Sequence, residues 1–461
     1  MELVLLDGWP YTPPALLVQG LNTNHSTLDG LVCMWRDGDA SLEWTTVEGL
    51  FGRIEKWCAD AEHGWDSDDL GRDAFLNFKR KDRALAVLNL PELGTTPSGW
   101  GDFHGRVQVD PVRVELKPGR ATDPRHLRGI WFRLGTLRVP PRNLSELNRC
   151  LSRAQRKGLE RVLAARRVAD LGVPSGGADL VLVCWERGAQ VDLLVIACNG
   201  IGGDVEGVAL QAAPNDEENL ILRAGPDAQS LRGKRAVLLG AGALGGHVAV
   251  TLAESGVGFL RLADDDVLTP GNVVRHVAGH DSVGATKVRA VEAVVRAHAP
   301  WCEVVCVEES HMRPTQIDAL ISDVDLVLDA TGNAALTDAL ATRAHAAGVP
   351  LVSGALYRGG RIARVRRYAT PHDAPNHQRQ PPRYPFIPRG SEEDVARAAV
   401  GCSAPVNNAP PSAVLACAAL LAQVTIDVLM ARLDLPDEVI DVYRPLPGEP
   451  PFDRVGRLTA A

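Results

Sequence analysis

A glycine-rich turn between an apolar strand and a helix constrains the fold of this chain most strongly. Gly240-Ala-Gly242-Ala-Leu-Gly245 directly follows the apolar run 236–239 and opens a helical pattern. The first glycine permits the tight turn, the second lets a phosphate approach the backbone, and the third lets the helix pack closely on the strand. Free N–H groups at the helix N-terminus would then face the phosphate. The motif predicts a nucleotide site, with an NAD site and a purely structural turn as alternatives.

Strands and helices alternate around this turn. Apolar, β-branched runs predict strands at 236–239, 259–263, 303–307, 325–328 and 350–353, with helical patterns between the first four. This βαβ alternation predicts a parallel sheet and an α/β domain. A Pro-rich polar stretch at 369–388 predicts a long connecting loop.

Charged and polar residues follow the second predicted strand. The run Asp264-Asp-Asp-Val-Leu-Thr-Pro-Gly-Asn272-Val-Val-Arg275 is followed by Gly284-Ala-Thr-Lys287. This pattern resembles the corresponding stretch of ThiF, MoeB and ubiquitin-activating enzymes. The resemblance implies a Rossmann-like ThiF-type adenylation domain in which Asp264 holds the ribose of ATP and Asn272, Arg275 and Lys287 contact its phosphates. Fixed cations suit adenylation, because charge builds on the α-phosphate and on the departing pyrophosphate.

The resemblance continues to residue 355 and also has departures. The family usually has an aspartate that helps hold Mg²⁺ where this chain has Gly332, so either Asp329 or Asp266 compensates or metal use differs in this chain. The family often carries paired zinc cysteines after the fifth strand. Here that loop has His372 and His377 and no cysteine pair, so we expect no zinc site. The resemblance also implies a homodimer, and Arg223 is a weak candidate for the arginine that a partner supplies.

A cysteine follows the Pro-rich loop. Cys402 precedes the apolar helix that begins near Ala413. In ubiquitin-activating enzymes this segment delivers the cysteine that takes the substrate from AMP, so the resemblance implies that Cys402 is catalytic. The alternative is a buried structural thiol, which we expect for Cys302, Cys306 and Cys417.

The first region resembles ubiquitin-conjugating enzymes. Tyr11-Thr-Pro-Pro14 precedes His25, then Cys33 and Trp44, and a helix is predicted at 47–61. The resemblance implies an α+β module with Cys33 as the acyl carrier; the alternative is that Cys33 is a core residue. The family's opening elements do not precede Tyr11, so the module is abridged or the recorded start lies downstream of the true one.

Two details of this module are also predicted. Asn22 or Asn24 would take the place of the family's oxyanion-stabilising asparagine. Spacings of three and four place Leu50, Ile54, Trp57 and Cys58 on one face of the helix.

Length and patterning divide the chain into several domains. Its 461 residues suggest two to four. We predict the conjugating-like module at 1–103, an α+β linker domain at 104–227, the adenylation domain at 228–440 and a tail at 441–461. Within the linker domain we predict strands near 106 and 112, a helix at 144–171 and a hairpin turn at Arg187-Gly188.

Composition and local patterns indicate which kinds of partner and which cellular compartment to expect. The net charge of −8 argues against nucleic-acid binding. The apolar stretch 413–431 contains Gln423, Thr425 and Asp427, which predicts a buried helix and not a membrane span. The N-terminus has no basic, apolar signal pattern, so we expect a cytoplasmic protein with reduced thiols.

The order of these modules resembles bacterial fusion proteins of antiviral CBASS operons. The resemblance implies ATP- and Mg²⁺-dependent adenylation of a protein C-terminus, a thioester on Cys402, transfer to Cys33 and attack by an amine-bearing target. The activated protein would be a ubiquitin-like protein or a CD-NTase-like nucleotidyltransferase. The alternatives are a sulfur-carrier-protein adenylyltransferase of cofactor biosynthesis and a nucleotide-binding scaffold without turnover. An NAD-dependent oxidoreductase is disfavoured, because hydride transfer does not need the cluster of cations.

Overall fold

The computed structural model describes two compact units, Met1–Asn219 and Leu220–Ala461. The described residues are 2–19, 21, 25–26, 30–35, 41–63, 85–93, 99–108, 113–137, 140–187, 190–309, 313–375, 378–379, 385–390 and 407–458. Cys402, His377, Asn22 and Asn24 lie outside them, so their predicted roles stay predictions.

The first unit opens with a three-stranded antiparallel meander and a helix. Its elements are β1 (Glu2–Val4), β2 (Ala15–Leu17), β3 (Leu31–Val32) and α1 (Val47–His63). Trp57 of α1 is buried in a small core with Leu16 and Val32. Cys58 is exposed, so its predicted place on the buried face is wrong. Each residue turns about 100° around a helix, which carries Cys58 away from the face of Trp57.

The rest of this unit is a closed barrel in the order β10-β4-β6-β5-β7-β8-β9. The strands are β4 (Leu85–Leu88), β5 (Trp100–Gln108), β6 (Arg113–Pro118), β7 (Leu127–Thr136), β8 (Leu180–Arg187), β9 (Gln190–Asn199) and β10 (Glu206–Pro214). Strands β8 and β9 pair antiparallel, as a hairpin requires; Gly188 of the predicted turn lies outside the described residues. Position 103, the predicted end of the first module, falls inside β5.

The predicted helix 144–171 is two helices, α2 (Leu144–Cys150) and α3 (Arg153–Ala164). The Ser152 hydroxyl accepts a hydrogen bond from the Gln155 backbone N–H, and the Gln155 side chain accepts one from the Ser152 N–H. This reciprocal capping box starts a new helix, so the prediction of a single helix is wrong.

The second unit is built on an eight-stranded sheet in the order β13-β12-β11-β14-β15-β16-β17-β18. The strands are β11 (Arg235–Leu239), β12 (Phe259–Ala263), β13 (Glu303–Val307), β14 (Leu326–Asp329), β15 (Leu351–Tyr357), β16 (Ile362–Tyr368), β17 (Glu438–Val442) and β18 (Gly456–Leu458). Strands β11 to β15 pair in parallel, as predicted. The chain moves outward in opposite directions from β11 and β14, so a topological switch point lies between them.

Helices cover both faces of this sheet. They are α5 (Ala228–Leu231), α6 (Ala243–Glu254), α8 (Lys287–His298) and α11 (Pro411–Leu429) on one face, and α9 (Pro314–Leu320) and α10 (Ala334–Ala347) on the other. Two single-turn helices, α4 (Glu217–Leu220) at the boundary of the two units and α7 (Pro270–Val273) after β12, have no buried residues. Leu238 of β11 packs into the core with α6, α8 and α11, and Val237 packs into the core with α9 and α10. Helix α11 is long and apolar enough to cross a membrane, yet more than half of it is buried in this core, as predicted.

Candidate nucleotide site

The glycine turn lies at the switch point and leaves the start of α6 open. Gly240 has φ of 88°, and a Cβ there would come within 3.0 Å of the Thr331 backbone on the neighbouring turn. A Cβ on Gly245 would lie 1.8 Å from the Gly240 carbonyl oxygen, so this glycine permits close packing of the turn. A Cβ on Gly242, the N-cap of α6, would meet nothing within 4 Å among its surroundings. The turn therefore offers backbone N–H groups to an anion in open space.

Asp264 follows β12 and lies beside this turn. Its Oδ2 accepts a hydrogen bond from the Ala241 N–H at 2.7 Å, and its Oδ1 accepts one from the Asp266 N–H at 2.9 Å. Burial raises the pKa of the Asp264 carboxyl, and the two N–H donors and Lys287 partly offset that effect. Each carboxylate oxygen keeps a second lone-pair direction, so Asp264 can still accept from ribose hydroxyls.

Lys287 is the first residue of α8 and reaches the same edge of the sheet. Its Nζ lies 2.5 Å from Oδ2 of Asp266, with 14% of the lysine side chain and 69% of the aspartate side chain exposed. The Lys287 N–H also donates to the Asp266 carbonyl at 2.9 Å. This backbone hydrogen bond thus holds the Lys287 ammonium group close to Asp264.

Arg275 and Asn272, which are predicted to contact ATP phosphates, each also make hydrogen bonds within the protein. Arg275 Nη1 donates to the carbonyl oxygens of Asn407 at 2.6 Å and Ala409 at 3.4 Å, just before α11. The Asn272 Oδ1 accepts from the Thr269 N–H and hydroxyl. A guanidinium has five N–H donors and an amide has two, so both side chains retain donors for phosphate oxygens.

His276 supports the turn, and the sequence reasoning missed it. Its ring is 7% exposed; Nε2 lies 2.9 Å from the Ala241 carbonyl oxygen, and Nδ1 accepts from the Ala278 N–H at 3.1 Å. Since Nδ1 accepts a hydrogen bond, Nε2 carries the proton and the ring is neutral. A lone histidine beside Arg275 carries no sequence signal for this role.

We expect acidification to destabilise the domain through His276. Burial lowers the pKa of His276 below the ordinary value of 6.5. A base with a depressed folded-state pKa contributes stability above its unfolded pKa and loses it as the pH falls through the folded value. Denaturant melts between pH 7.5 and pH 5 should show falling stability, with a shallower slope for His276→Gln. The exposed His345→Gln should keep the wild-type slope; an unchanged slope in His276→Gln would contradict this role.

The Asp329 carboxylate already has three donors. Oδ1 accepts from the Thr331 N–H at 3.0 Å and hydroxyl at 2.7 Å, and Oδ2 accepts from the Thr337 hydroxyl. Asp329 is 2% exposed. Magnesium at Asp329 stays a prediction, and the three donors leave it little coordinating capacity. Asp264, Asp265 and Asp266 offer oxygens within 4.8 Å of one another, which is the only such cluster within the described residues.

Buried ion pairs hold the loop where the family often has zinc. Asp373 accepts from the N–H groups of Ala369 at 2.7 Å and Thr370 at 3.1 Å. Arg379 is 3% exposed, and its Nη1 lies 3.2 Å from the carbonyl oxygen and 3.5 Å from the carboxylate of Asp437. His372 is exposed. The expected absence of zinc stays a prediction.

Removing the buried guanidinium should be costly. Arg379→Met leaves the buried carboxylates of Asp437 and Glu438 with one cation fewer. We expect a loss of about 3–5 kcal/mol in the free energy of unfolding, measured in urea. Arg389→Met, an exposed position nearby, should change it by no more than about 0.5 kcal/mol. Equal effects of the two substitutions would show that the pair does not hold the loop.

The turn at the switch point, the open helix start and the adjacent cation define a nucleotide-binding α/β domain. Residues 217–434, slightly less than half of the chain, match the sequence model of the ThiF family. The C-terminal half is therefore a ThiF-family adenylation domain, homologous to MoeB and E1-like enzymes. This confirms the resemblance stated for this half; the conjugating-like resemblance of the first region stays a prediction.

Several proteins are similar to this domain. Molybdopterin-synthase adenylyltransferase of Escherichia coli is 35% identical over 131 residues, which are 28% of this chain and 52% of that protein. The SAMP-activating enzyme E1 of Haloferax volcanii is 35% identical over 136 residues, 29% of this chain and 50% of that protein. Uncharacterized protein y4qC of Sinorhizobium fredii is 36% identical over 138 residues, 28% of this chain and 24% of that protein.

The chain thus spans between a quarter and about half the length of these relatives. Among solved structures, E. coli MccB with ATP is 16% identical with a TM-score of 0.39, over 52% of this chain and 65% of that one. A likeness of this degree carries no inference about ligands.

Proposed function

We propose that the C-terminal domain uses ATP to activate the C-terminal carboxylate of a protein. The observation that carries the proposal is the position of Lys287 beside Asp264 and Asp266, at the edge of the sheet where the open start of α6 lies. Two relatives, one named an adenylyltransferase and one an activating enzyme, support the same proposal.

The chemistry follows from this arrangement. A carboxylate oxygen of the substrate attacks the α-phosphorus of ATP; the bond to pyrophosphate breaks and an acyl-adenylate forms. Asp264 orients the ribose, and Lys287, Arg275 and the N–H groups after Gly242 stabilise the charge on the phosphates. Mg²⁺, held by Asp266 or Asp329 in this proposal, would neutralise part of the same charge.

The next step needs a thiolate, and burial disfavours the thiolate form of five cysteines. It raises the pKa of the thiols of Cys184, Cys198, Cys302, Cys306 and Cys417 to about 12, so they stay protonated at neutral pH. The proposal places the first thioester on Cys402: its sulfur attacks the acyl carbonyl, and AMP leaves.

The acyl group then passes to Cys33 by thioester exchange, and an amine on a target attacks. Cys33 follows β3, is half-buried, and its N–H donates to the His25 carbonyl at 2.8 Å. The ring of Trp35 contacts that of Trp44 edge-on, with centroids 5.5 Å apart. This packing supports a fixed carrier site after the meander.

Pyrophosphate exchange tests the first step, and adduct trapping tests the second. The full chain would be incubated with ATP and proteins encoded by neighbouring genes, and reducible adducts mapped by mass spectrometry. We expect exchange with one partner, loss of the adduct in Cys402→Ser and stalled transfer in Cys33→Ser. Cys58→Ser, an exposed cysteine of the same module as Cys33, is the control. An adduct that survives in both Cys402→Ser and Cys33→Ser would refute these assignments.

The second candidate is an adenylyltransferase for a small sulfur-carrier protein, with the first region serving only for docking. The name of the E. coli relative favours it. Normal conjugation by Cys33→Ser would support it. Binding of ATP without exchange with any partner would instead support a scaffold, which Gly332 motivates.

The setting of the activity is also a proposal. We propose a cytoplasmic homodimer acting in bacterial antiviral defence of the CBASS type, in which the activated partner is a nucleotidyltransferase. Light scattering tests the dimer, and the identity of the neighbouring genes tests the setting.

A further inference from the structure

A cavity of about 520 Å³ lies in the C-terminal unit beside the start of α11. The turn between β15 and β16, the first residues of α11 and the chain just after β17 form its walls. Pro410, Ala413 and Ala416 supply an apolar side, and Arg358, Arg361 and Arg444 supply a cationic side. None of the described residues that line the cavity is acidic.

Two of these arginines are available to a ligand. Arg358 lies 3.3 Å from Glu449, so its charge is partly matched. Within the described chain, the side chains of Arg361 and Arg444 make no hydrogen bond or ion pair. The Arg361 carbonyl accepts from the Tyr443 N–H at 2.7 Å and the Arg444 N–H at 3.2 Å. These backbone bonds hold the two arginines next to each other, where they can bind one carboxylate with several N–H donors.

Two further features of the walls favour an anion. The hydroxyl of Tyr443, which lines the cavity, is buried and has no hydrogen-bond partner among the described residues. Burial raises the pKa of Tyr443, so the hydroxyl remains a donor. Ser412 lies in the first turn of α11, at the positive end of the helix dipole.

The cavity lies close to the nucleotide site. Strands β11, β14 and β15 are parallel neighbours, so their carboxyl ends meet at one edge of the sheet. Neighbouring strands are roughly 4.8 Å apart, so Ser353 of β15, which is level with Leu239 at the end of β11, lies about 10 Å from it. Strand β15 continues to Tyr357, about 13 Å further along, so its end is roughly 16 Å from the end of β11. Arg275 also binds the carbonyls of Asn407 and Ala409, and Asn408 between them lines the cavity. An extended peptide covers about 16 Å with roughly five residues.

We propose that this cavity binds an acidic side chain of the substrate's C-terminal tail, roughly four to six residues before the carboxylate that is activated. The inference rests on the proposed function and names its substrate class. The apolar wall suits the methylene stem of a glutamate, and the volume is within the range of pockets that hold more than a small ion. Such a cavity would exclude tails that carry a lysine or arginine at the same position.

Paired peptides test the inference on the full chain. Fluorescein-labelled peptides with a free C-terminal Gly-Gly would carry Glu, Gln or Lys at the fifth position from the end, and their binding would be measured with ATP present. We expect the Glu peptide to bind about tenfold more tightly than the Gln peptide. Arg361→Gln with Arg444→Gln should remove that preference. Arg454→Gln, an exposed position outside the cavity, should keep it.

Charge reversal keeps the test decisive if the double variant folds poorly. Arg444 is exposed, so Arg444→Glu should fold and should favour the Lys peptide over the Glu peptide. Equal binding of all peptides to the wild type, or inorganic phosphate binding in the cavity without any peptide preference, would overturn the inference. Pyrophosphate exchange without charge preference would defeat this inference alone. A charge preference without exchange would defeat the proposed function alone.

Discussion

Gly242→Ala should weaken ATP binding by roughly 10- to 100-fold, because the added methyl group would occupy the space of a bound phosphate. In the free protein a Cβ at this position meets nothing within 4 Å, and its φ of −75° suits any residue. The substitution should therefore change the free energy of unfolding by no more than about 1 kcal/mol, the usual range for an N-cap change from glycine. Isothermal titration calorimetry with ATP and thermal melts measure the two effects.

Gly245→Ala is the matched comparison, because it adds the same methyl group one helical turn away. Here the Cβ would lie 1.8 Å from the Gly240 carbonyl oxygen, so the turn must move. We expect a loss of about 1–3 kcal/mol in stability as well as weaker binding. If Gly242→Ala bound ATP normally, the open space at the start of α6 would not be the phosphate site.

Lys287→Met should lower the rate of pyrophosphate exchange by roughly 100- to 1,000-fold, as the loss of one charge-stabilising donor does in other active sites. The lysine is mostly buried and lies 2.5 Å from Asp266, and the substitution leaves that exposed carboxylate solvated. The fold should therefore survive, and ATP affinity should change less than the exchange rate, because charge on the phosphates grows in the transition state.

Arg296→Met, on the same helix, is the control. Its side chain is 68% exposed, and its partner Glu292 keeps a second ion pair with Arg289. Exchange should stay within about twofold of wild type, since the residue lies on the solvent side of the helix. If Lys287→Met exchanged pyrophosphate at the normal rate, the proposed function would lose its basis. Arg275 is a poorer first target, because its substitution also frees the segment at 407–409.

The local pattern of the sequence determined the parallel α/β sheet, the glycine turn and the positions of Asp264 and Lys287. These features depend on residues within one or two elements: strand runs, the spacing of glycines and an acid at a strand end. The same local reasoning wrongly placed Cys58 on the face of Trp57 and wrongly joined α2 to α3. The edge of a helix face and a capping box each depend on one or two residues, and a continuous helical pattern does not reveal them.

Tertiary structure alone decided which distant residues share a site. His276 supports the Ala241 carbonyl, and Arg275 binds the segment before α11. Arg361, in the turn before β16, and Arg444, just after β17, meet at one cavity although they are far apart in the chain. The seven-strand order of the barrel is equally non-local. Contacts between residues far apart in the chain follow from how helices and strands pack, and no local period or motif records that packing.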